Sequence, residues 1–305
     1  MASASDTTEK KLAIGAVAAA ITIHVLWGGN PVAVKWGLEV FPPLASGFVR
    51  FTIGTIAIGL WAIARGVPLL PPRHEWLPLA GVSVLFTVQI WLMNVGFSQT
   101  TGALGSILIA LNPLFAAAFA HFFFAGDRLT WMRSAGLLLA FIGTAVILAR
   151  HGSIDFSDAT QAGNWILLLS ATLLGWRLIV SAKLIRRLDE VRVMLWMLLL
   201  SLPMFGLSSW AFETISWQNL SWRPIAGIAY QGLVIAGFAF VVNSYLMKLY
   251  SPTIVASFNF VSPAAGLLLS VLLLNETIGT IELTSLALVA AGLVLVARPA
   301  RSLKS

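Results

Sequence analysis

The feature that most constrains this chain is the length of its apolar runs. Ten runs of about 20 residues follow one another with short polar joints, and each can cross the hydrocarbon core of a bilayer as a helix. A helix also satisfies its own backbone hydrogen bonds there. The predicted spans are residues 12–37, 44–64, 76–98, 101–124, 131–149, 164–185, 191–212, 224–249, 252–274 and 280–298.

Composition supports this interpretation and leaves no room for a soluble domain. Of the 305 residues, 58% are hydrophobic and 10% are charged, whereas charged residues make up roughly 25% of a typical soluble domain. We therefore predict an all-α integral membrane protein with ten transmembrane helices. Its parts are a cytoplasmic N-terminal tail at 1–11, a first five-helix unit at 12–150, a connecting loop at 151–163, a second five-helix unit at 164–298 and a cytoplasmic C-terminal tail at 299–305.

The positive charges predict the orientation in the membrane. The net charge is +7, but Lys and Arg stand singly between apolar runs and form no patch for a nucleic acid. With the N-terminus inside, 14 of the 19 Lys and Arg residues lie at inner ends of spans, in accord with the positive excess of cytoplasmic loops. Both termini are therefore predicted to be cytoplasmic. The residues assigned to outer ends are Lys35, Arg50, Arg150 and Arg223.

The N-terminus has an alternative interpretation as a cleaved signal peptide, because Lys10 and Lys11 precede an apolar run. That run continues to about residue 37, which is too long for the apolar region of a cleaved signal. An uncleaved first span is favoured.

The sequence repeats itself at a fixed offset. Residues 111–127 resemble 261–276, with an internal proline in each, and WGGNPVAVK of the first span resembles WRLIVSAK of the sixth. Because each copy would hold an odd number of spans, the second copy would enter the membrane from the opposite side. Such inverted repeats are typical of secondary transporters. The landmarks 149 residues apart are Trp27 and Trp176, Asp127 and Glu276, and Gly143 and Gly292.

These motifs resemble those of the drug/metabolite transporter superfamily. WGGNPVAVK, the proline-centred fourth span followed by AGDRLTWMRSAGLLLAFIGTAVIL, and VSPAAGLLLSVLLLNETIGTIELTSLALVAAGLVLV are similar to the paired five-helix units of its ten-helix EamA-type exporters. The resemblance covers about residues 12–298 and implies export of amino acids, aromatic ones among them, or of drug-like metabolites. Two departures are Asp127, where the superfamily usually has Glu, and the lack of a second Gly-Gly-Asn-Pro cluster, which implies that the halves are not functionally equivalent.

Helix-breaking residues mark candidate hinges. Pro113 and Pro263 lie near the middle of the fourth and ninth predicted spans, where each removes a backbone hydrogen bond. Their equivalent placement favours paired hinges beside a substrate cavity, with static kinks retained for packing as the alternative. A flexible or close-packed element near the outer mouth of the pathway is predicted at Gly28, Gly29, Asn30 and Pro31.

Polar side chains within the spans are candidates for a substrate path. Their amides and hydroxyls can bind both ends of a zwitterion without carrying charge, and they concentrate in spans that the repeat makes equivalent. The alternative for each is an interhelical hydrogen bond worth about 1 kcal/mol. The candidates are Gln89, Asn94, Asn112, Asn243, Ser244, Ser257 and Asn259.

Three aromatic residues and one cation complete the candidate cavity. Trp27, Trp176 and Tyr245 offer rings that can stack on an apolar substrate side chain, with ordinary packing as the alternative. Arg177 lies about thirteen residues into the sixth predicted span, where an unpaired guanidinium costs several kcal/mol. It is a candidate for binding a substrate carboxylate, with snorkelling toward an interface as the alternative.

Energy coupling has few candidates. Every Asp and Glu lies in a tail, a loop or near a span end, whereas proton antiport usually needs a buried titratable group. His24 in the first span and His121 in the fourth are the coupling candidates. The alternative is a hydrogen-bonded packing role for each, with facilitated diffusion of the substrate.

Other classes of protein have little support. No HExxH, P-loop or dinucleotide motif occurs, and GLSS at 206–209 lacks the strand and turn of a nucleophile elbow, so an enzyme is not predicted. The absence of cysteine removes disulfides and thiolate metal sites, and no cofactor or metal is predicted. A channel is a further rival, although nothing resembles a selectivity filter or a charged ring.

Together these features predict an alternating-access exporter of amino acids, favouring aromatic and hydrophobic ones, in the bacterial cytoplasmic membrane. A multidrug or other metabolite exporter of the same superfamily is the alternative, although the lack of a buried carboxylate argues against a dedicated cation site. The predicted partners are a small-molecule substrate and the lipid bilayer. The chain is predicted to act as a monomer.

Overall fold

The computed structural model is a bundle of helices with no strand in the part of the chain that it describes. Among those residues, nine helical spans are long and apolar enough to cross a membrane. A shorter apolar helix, Val261–Leu274, occupies the later part of the ninth predicted span. The prediction of an all-α integral membrane fold is confirmed. The described residues are 14–123, 130–149, 158–185, 187–250, 255 and 258–297.

The first half of the chain forms five spans from six helices. They are α1 (Ile14–Leu38), α2 (Pro43–Ala64), α3 (Trp76–Gln99), α4 (Gly102–Ile109), α5 (Asn112–Phe123) and α6 (Trp131–Leu148), with a 3₁₀ turn at Arg73–Glu75 before α3. α2 begins on a proline, a residue that suits the first helical position because its missing N–H would have no partner there. α4 and α5 together are the fourth span, and α6 is the fifth.

The second half forms five spans from six α-helices and one π-helical segment. They are α7 (Ala159–Ile185), α8 (Glu190–Phe212), α9 (Trp222–Ala229), the π segment (Tyr230–Ala239), α10 (Phe240–Leu249), α11 (Val261–Leu274) and α12 (Thr280–Ala297), with a 3₁₀ turn at Trp217–Asn219. α9, the π segment and α10 run on as the eighth span, and α11 and α12 are the ninth and tenth.

The sixth span begins earlier than predicted. α7 begins at residue 159, whereas the sixth span is predicted to begin at 164. The Asp158 carboxylate accepts a 2.8 Å hydrogen bond from the Thr160 amide, and this cap satisfies a donor that would otherwise lack a partner at the helix start. Residues 159–163 of the predicted loop are therefore helical.

Contacts between the spans follow one scheme. α1 packs on α11 and on the eighth span, and α7 packs on the fourth span and on α3. α2 packs on the π segment, and α8 packs on α3. Other extensive contacts join α2 with α8, α4 with α11, and α6 with α12. If the spans are numbered from one to ten, each contact has a counterpart in which both spans are replaced by those five positions away in the chain. Two related five-span units would produce this pattern.

Glycines let helices of the two halves approach at two corresponding places. A Cβ on Gly28 of α1 would lie 2.6 Å from Ala265 Cβ and 2.7 Å from Ser262 O of α11, so no side chain fits there. A Cβ on Gly175 of α7 would likewise lie 2.7 Å from Phe115 Cβ of α5. Gly175 therefore makes the same kind of contact as Gly28, although the second half has no Gly-Gly-Asn-Pro cluster.

Three charged side chains bind helix ends at the face of the bundle that is predicted to be outer. Glu213 accepts two 2.8 Å hydrogen bonds from amides in the first turn of α2. Glu276 accepts 2.7 Å and 2.8 Å bonds from the first two amides of α4. Lys35 Nζ donates to Phe97 O at 3.1 Å and to Thr100 O at 2.6 Å, at the end of α3. Each charge is opposite to that of the helix end it binds, which stabilises the contact.

Large apolar side chains cover the outside of the bundle. Leu77 is 82% exposed, Phe122 is 77% exposed and Leu272 is 63% exposed. A continuous apolar exterior suits contact with lipid rather than water. The lipid bilayer is thus the partner that this surface fits.

Replacing Gly28 with Ala should destabilise the protein by about 1–3 kcal/mol, the usual effect of overpacking, because the new Cβ meets the Ser262 carbonyl and Ala265. Gly81→Ala in α3 is the matched control, since a Cβ there meets nothing within 4 Å. Thermal unfolding of the purified variants in detergent checks the prediction. We expect a lower midpoint for Gly28→Ala alone; an unchanged midpoint would show that α1 and α11 separate easily.

Candidate functional site

The fourth span is interrupted next to a predicted hinge. α4 ends at Ile109 and α5 begins at Asn112, so Pro113 lies in the first turn of α5. Pro113 lacks the N–H that would bond to the Ile109 carbonyl. The Asn112 side-chain amide donates a 2.8 Å hydrogen bond to that carbonyl instead. Asn112, a predicted cavity residue, thereby stabilises the interruption.

The ninth span has a proline in a similar setting. Residues 258–260 form a turn, and Pro263 is the third residue of α11. Proline is tolerated in the first turn of a helix because the amides there have no intrahelical partner. Pro113 and Pro263 thus both stand where a helix restarts after a turn, and their action as hinges stays a prediction. In contrast, α1 continues through Pro31 without interruption.

Two buried amides of α3 bind neighbouring helices. The Gln89 side-chain amide donates to Ser170 Oγ of α7 at 3.1 Å, and that hydroxyl donates to the Gln89 carbonyl at 2.8 Å. The Asn94 side chain donates to Pro43 O of α2 at 2.8 Å. These contacts support the interhelical alternative for Gln89 and Asn94.

The remaining polar candidates lie in or near the eighth span. Asn243 of α10 is half-buried, and Tyr245 is 61% exposed. Ser257 and the side chain of Ser244 lie outside the described residues, as does the repeat landmark Asp127. Contact of these residues with a substrate stays a prediction.

His24 of α1 has a polar neighbour at both ring nitrogens. The side chain is fully buried, its Nδ1 lies 2.7 Å from Ala20 O, and its Nε2 lies 2.7 Å from Asn259 Oδ1. The Trp27 ring packs edge-on against it, with the centroids 5.0 Å apart. Three predicted site residues from the first and ninth spans therefore meet at one point.

The contact between His24 and Asn259 can serve two protonation states. A carbonyl oxygen only accepts, so Nδ1 carries a proton toward Ala20 in both states. With Asn259 Oδ1 facing the ring, Nε2 also donates and the ring is a cation. With the amide turned by about 180°, its NH₂ group donates to an unprotonated Nε2. Asn259 can therefore satisfy the buried ring before and after a proton leaves.

The corresponding tryptophan in the second half has different neighbours. Trp176 of α7 packs edge-on against Phe119 and Phe123 of α5, with centroids 5.4 Å and 4.6 Å apart. His121 lies on the same helix, where its ring is 5.0 Å from that of Phe122. The two repeat-equivalent tryptophans therefore contact a titratable ring in one half and two phenylalanines in the other.

Arg177 is held among helices rather than at a helix end. It lies eight residues before the end of α7, which is about 12 Å along the helix axis. Its guanidinium lies 5.0 Å from the centroid of the Phe86 ring of α3, and its Nη1 donates to Met197 Sδ of α8 at 3.6 Å. These contacts disfavour the snorkelling alternative.

The structure contains a second arginine within a span, and this one is buried. The charge count assigns Arg50 to an outer end, and this assignment is wrong, because Arg50 is the eighth residue of α2 and is 6% exposed. Its Nη1 donates to Gln231 Oε1 at 2.7 Å, and its guanidinium lies 4.2 Å from the centroid of the Phe51 ring. The predicted start of the second span at residue 44 already placed Arg50 inside a span, and that signal could have identified it.

The partner of Arg50 belongs to the π segment, which the sequence does not predict. Tyr230 and Gln231 are its first two residues. The Tyr230 hydroxyl donates to Leu26 O of α1 at 2.7 Å, and Gly29 leaves space for it, since a Cβ there would lie 2.7 Å from that hydroxyl. π-helical turns are frequent at functional sites. The Gly-Gly pair of α1 thus accommodates both α11 and the eighth span.

Buried charges inside an apolar bundle, together with an interrupted span, are typical of membrane transporters. Ionisable groups within spans mark substrate and ion pathways, and discontinuous helices are typical of transporters. The sequence pattern of the EamA-like transporter family matches residues 14–149 and again residues 161–298. The chain belongs to this family of multi-pass membrane transporters.

Named relatives align with most of the chain. A protein of Streptantibioticus cattleyicolor named "Probable terminal-alkyne amino-acid exporter" is 26% identical over 293 residues, which are 93% of this chain and 93% of that protein. A protein of Salmonella typhimurium named "Probable amino-acid metabolite efflux pump" is 26% identical over 283 residues, which are 90% of this chain and 92% of that protein.

A solved structure, described only as "Crystal structure of protein", has the same fold. It superposes with a TM-score of 0.67 at 20% sequence identity, covering 92% of this chain and 96% of the other. At this identity the likeness concerns the fold alone.

Replacing Asn112 with Ala should lower stability by about 1 kcal/mol, because the Ile109 carbonyl loses its donor. Asn219→Ala is the control, since its 3.3 Å bond to Glu39 O is exposed and water can replace it. Thermal unfolding in detergent compares the two variants. Equal midpoints would show that the interruption of the fourth span does not depend on Asn112.

Proposed function

We propose that this protein is an alternating-access exporter of amino acids, favouring aromatic and hydrophobic ones, in the cytoplasmic membrane of a bacterium. The observation that carries the proposal is its membership of a transporter family together with two relatives named for amino-acid export or amino-acid metabolite efflux. The protein acts as a monomer, needs no cofactor and is not an enzyme.

The transporter consists of two five-span units, 12–150 and 164–298, related by an axis in the membrane plane, with both termini in the cytoplasm. The corresponding contacts between spans five positions apart in the chain support this arrangement. The two matches to one family pattern support it as well. Alternating access then exchanges the conformations of the two units.

The moving elements are α5 and α11. Each begins next to a proline, and each is met near its start by a glycine of another helix, Gly175 or Gly28. A swing of either helix therefore has its pivot at the glycine contact. Lys35, Glu213 and Glu276 bind helix ends at the predicted outer face, which supports an outward-closed conformation.

An exporter of drugs or other metabolites is the second candidate. The name of the Salmonella relative, "Probable amino-acid metabolite efflux pump", supports the metabolite part of this alternative. The aromatic neighbours of Trp27 and Trp176 support a substrate with an apolar side chain under either candidate. A channel is the rival from another class.

Counterflow in proteoliposomes tests the proposal. Vesicles loaded with unlabelled L-phenylalanine, L-tryptophan, L-leucine or L-alanine receive labelled L-phenylalanine outside. We expect transient accumulation of label above equilibrium, larger with the first three amino acids than with alanine. Equilibration without an overshoot would indicate a channel. Counterflow of labelled tetraphenylphosphonium without any of phenylalanine would favour the drug exporter.

Replacing His24 with Gln should remove the effect of a proton gradient on export, because an amide cannot carry the proton that the buried imidazole exchanges. Efflux of labelled phenylalanine is measured with and without an acidic exterior. The gradient should speed efflux several-fold in the wild type but not in the variant. His121→Gln, which replaces the other coupling candidate, should keep the gradient effect; loss of the effect in His121→Gln alone would assign the coupling to His121. If the proton gradient leaves the wild-type efflux rate unchanged, the result would support facilitated diffusion.

A further inference from the structure

Two arginines from different halves of the chain flank one pair of aromatic rings. Arg50 of α2 lies 4.2 Å from the centroid of Phe51, and Arg177 of α7 lies 5.0 Å from the centroid of Phe86. The centroids of Phe51 and Phe86 are themselves 4.7 Å apart. The two guanidinium groups thus lie against one aromatic pair, each next to a different ring.

Neither charge is neutralised within the described part of the chain. Arg50 donates to the neutral amide of Gln231, and Arg177 donates to the thioether of Met197. The Nε atoms of both arginines are buried with no hydrogen-bond acceptor among the described residues. The described acidic residues lie at or near helix ends, and none pairs with either guanidinium.

This arrangement is costly unless an anion completes it. A guanidinium keeps its proton in proteins, and each unpaired one inside a bilayer costs several kcal/mol. A second positive charge next to the same aromatic pair adds repulsion. Helix packing alone needs no charge at these positions, so the pair indicates a function.

The two arginines differ in exposure. Arg50 is 6% exposed and its partner Gln231 is 1% exposed, so Arg50 is held in the interior of the protein. Arg177 is only partly buried, although it lies well within α7. A ligand in the bundle would therefore contact Arg177 directly, and the charge of Arg50 would attract an anionic ligand without contact.

We propose that Arg50, Arg177 and Gln231 form the subsite that binds the carboxylate of the transported substrate. The planar fork of Arg177 matches a carboxylate, Arg50 adds a second positive charge, and Gln231 orients Arg50. Gln231 is itself fixed, since its amide donates to Ala33 O at 2.9 Å. This inference rests on the proposed function and defines the substrates as amino acids or other carboxylates, with lipophilic cations repelled.

Ligand-induced thermal stabilisation of the purified protein tests the subsite without transport. The probes are L-phenylalanine, L-leucine, 3-phenylpropionate, which lacks the amino group, and L-phenylalaninamide, which lacks the carboxylate. We expect the three carboxylates to raise the unfolding midpoint and the amide to leave it unchanged. Arg177→Gln should weaken phenylalanine binding about tenfold or more, the usual effect of losing one charge-assisted contact.

A matched set of variants separates binding from folding. Arg65→Gln removes an exposed arginine of α2's inner end that lies over the Trp61 ring, and it should bind phenylalanine as the wild type does. Arg50→Gln should weaken binding, and Arg50→Lys, which keeps the charge but not the fork, should bind with intermediate affinity. Size-exclusion chromatography identifies any variant that does not fold.

Several outcomes would overturn the subsite. They are equal stabilisation by phenylalanine and phenylalaninamide, stabilisation by none of the three carboxylates, unchanged binding in folded Arg177→Gln, or stabilisation by chloride, relative to sulfate at equal ionic strength, as strong as that by phenylalanine. The proposed function fails separately, through an absence of amino-acid counterflow in the wild type. Counterflow by Arg177→Gln with an unchanged KM would leave the function standing and refute the subsite.

Discussion

In a hydrocarbon core every backbone amide, carbonyl and charge must find a partner within the protein or in a water-filled space. The structure depends on this constraint at each place where a helix is irregular. Asn112 binds the carbonyl that Pro113 leaves unpaired, and Glu276 binds amides at the start of α4. Polar side chains inside the spans therefore serve the backbone first. Those that do not, above all Arg50 and Arg177, are the candidates for function.

The span positions could be predicted because span length is fixed by bilayer thickness, which apolar runs record directly. The interruption of the fourth span was predictable for a similar reason, since Pro113 acts through local covalent geometry. The π segment was not predictable, because nothing in its composition distinguishes it from an apolar α-helix. The contact at Gly175 cannot be predicted from the repeated motifs, because close packing needs only one small residue at the right depth.

The site was harder to predict than the spans. An amide side chain does not indicate which neighbour it faces, and Gln89 and Asn94 bind other helices. His24 and Asn259 stand 235 residues apart in sequence and were predicted in separate roles, so only the fold shows that they meet. Arg177 is identifiable from its depth in the sixth span, whereas the nearest span end is a misleading guide to the position of Arg50. Depth within a span, rather than proximity to a loop, identifies a buried charge.

The eighth span is attached to α1 at two points. Tyr230 binds the Leu26 carbonyl and Gln231 binds the Ala33 carbonyl, and these acceptors are about 10 Å apart along the helix. Two separated hydrogen bonds fix the relative orientation of the two spans as well as their contact. α1 therefore cannot slide or rotate against the eighth span without breaking one of these bonds. Gln231 also binds Arg50. A tilt of α1 together with the eighth span would therefore displace the Arg50 guanidinium.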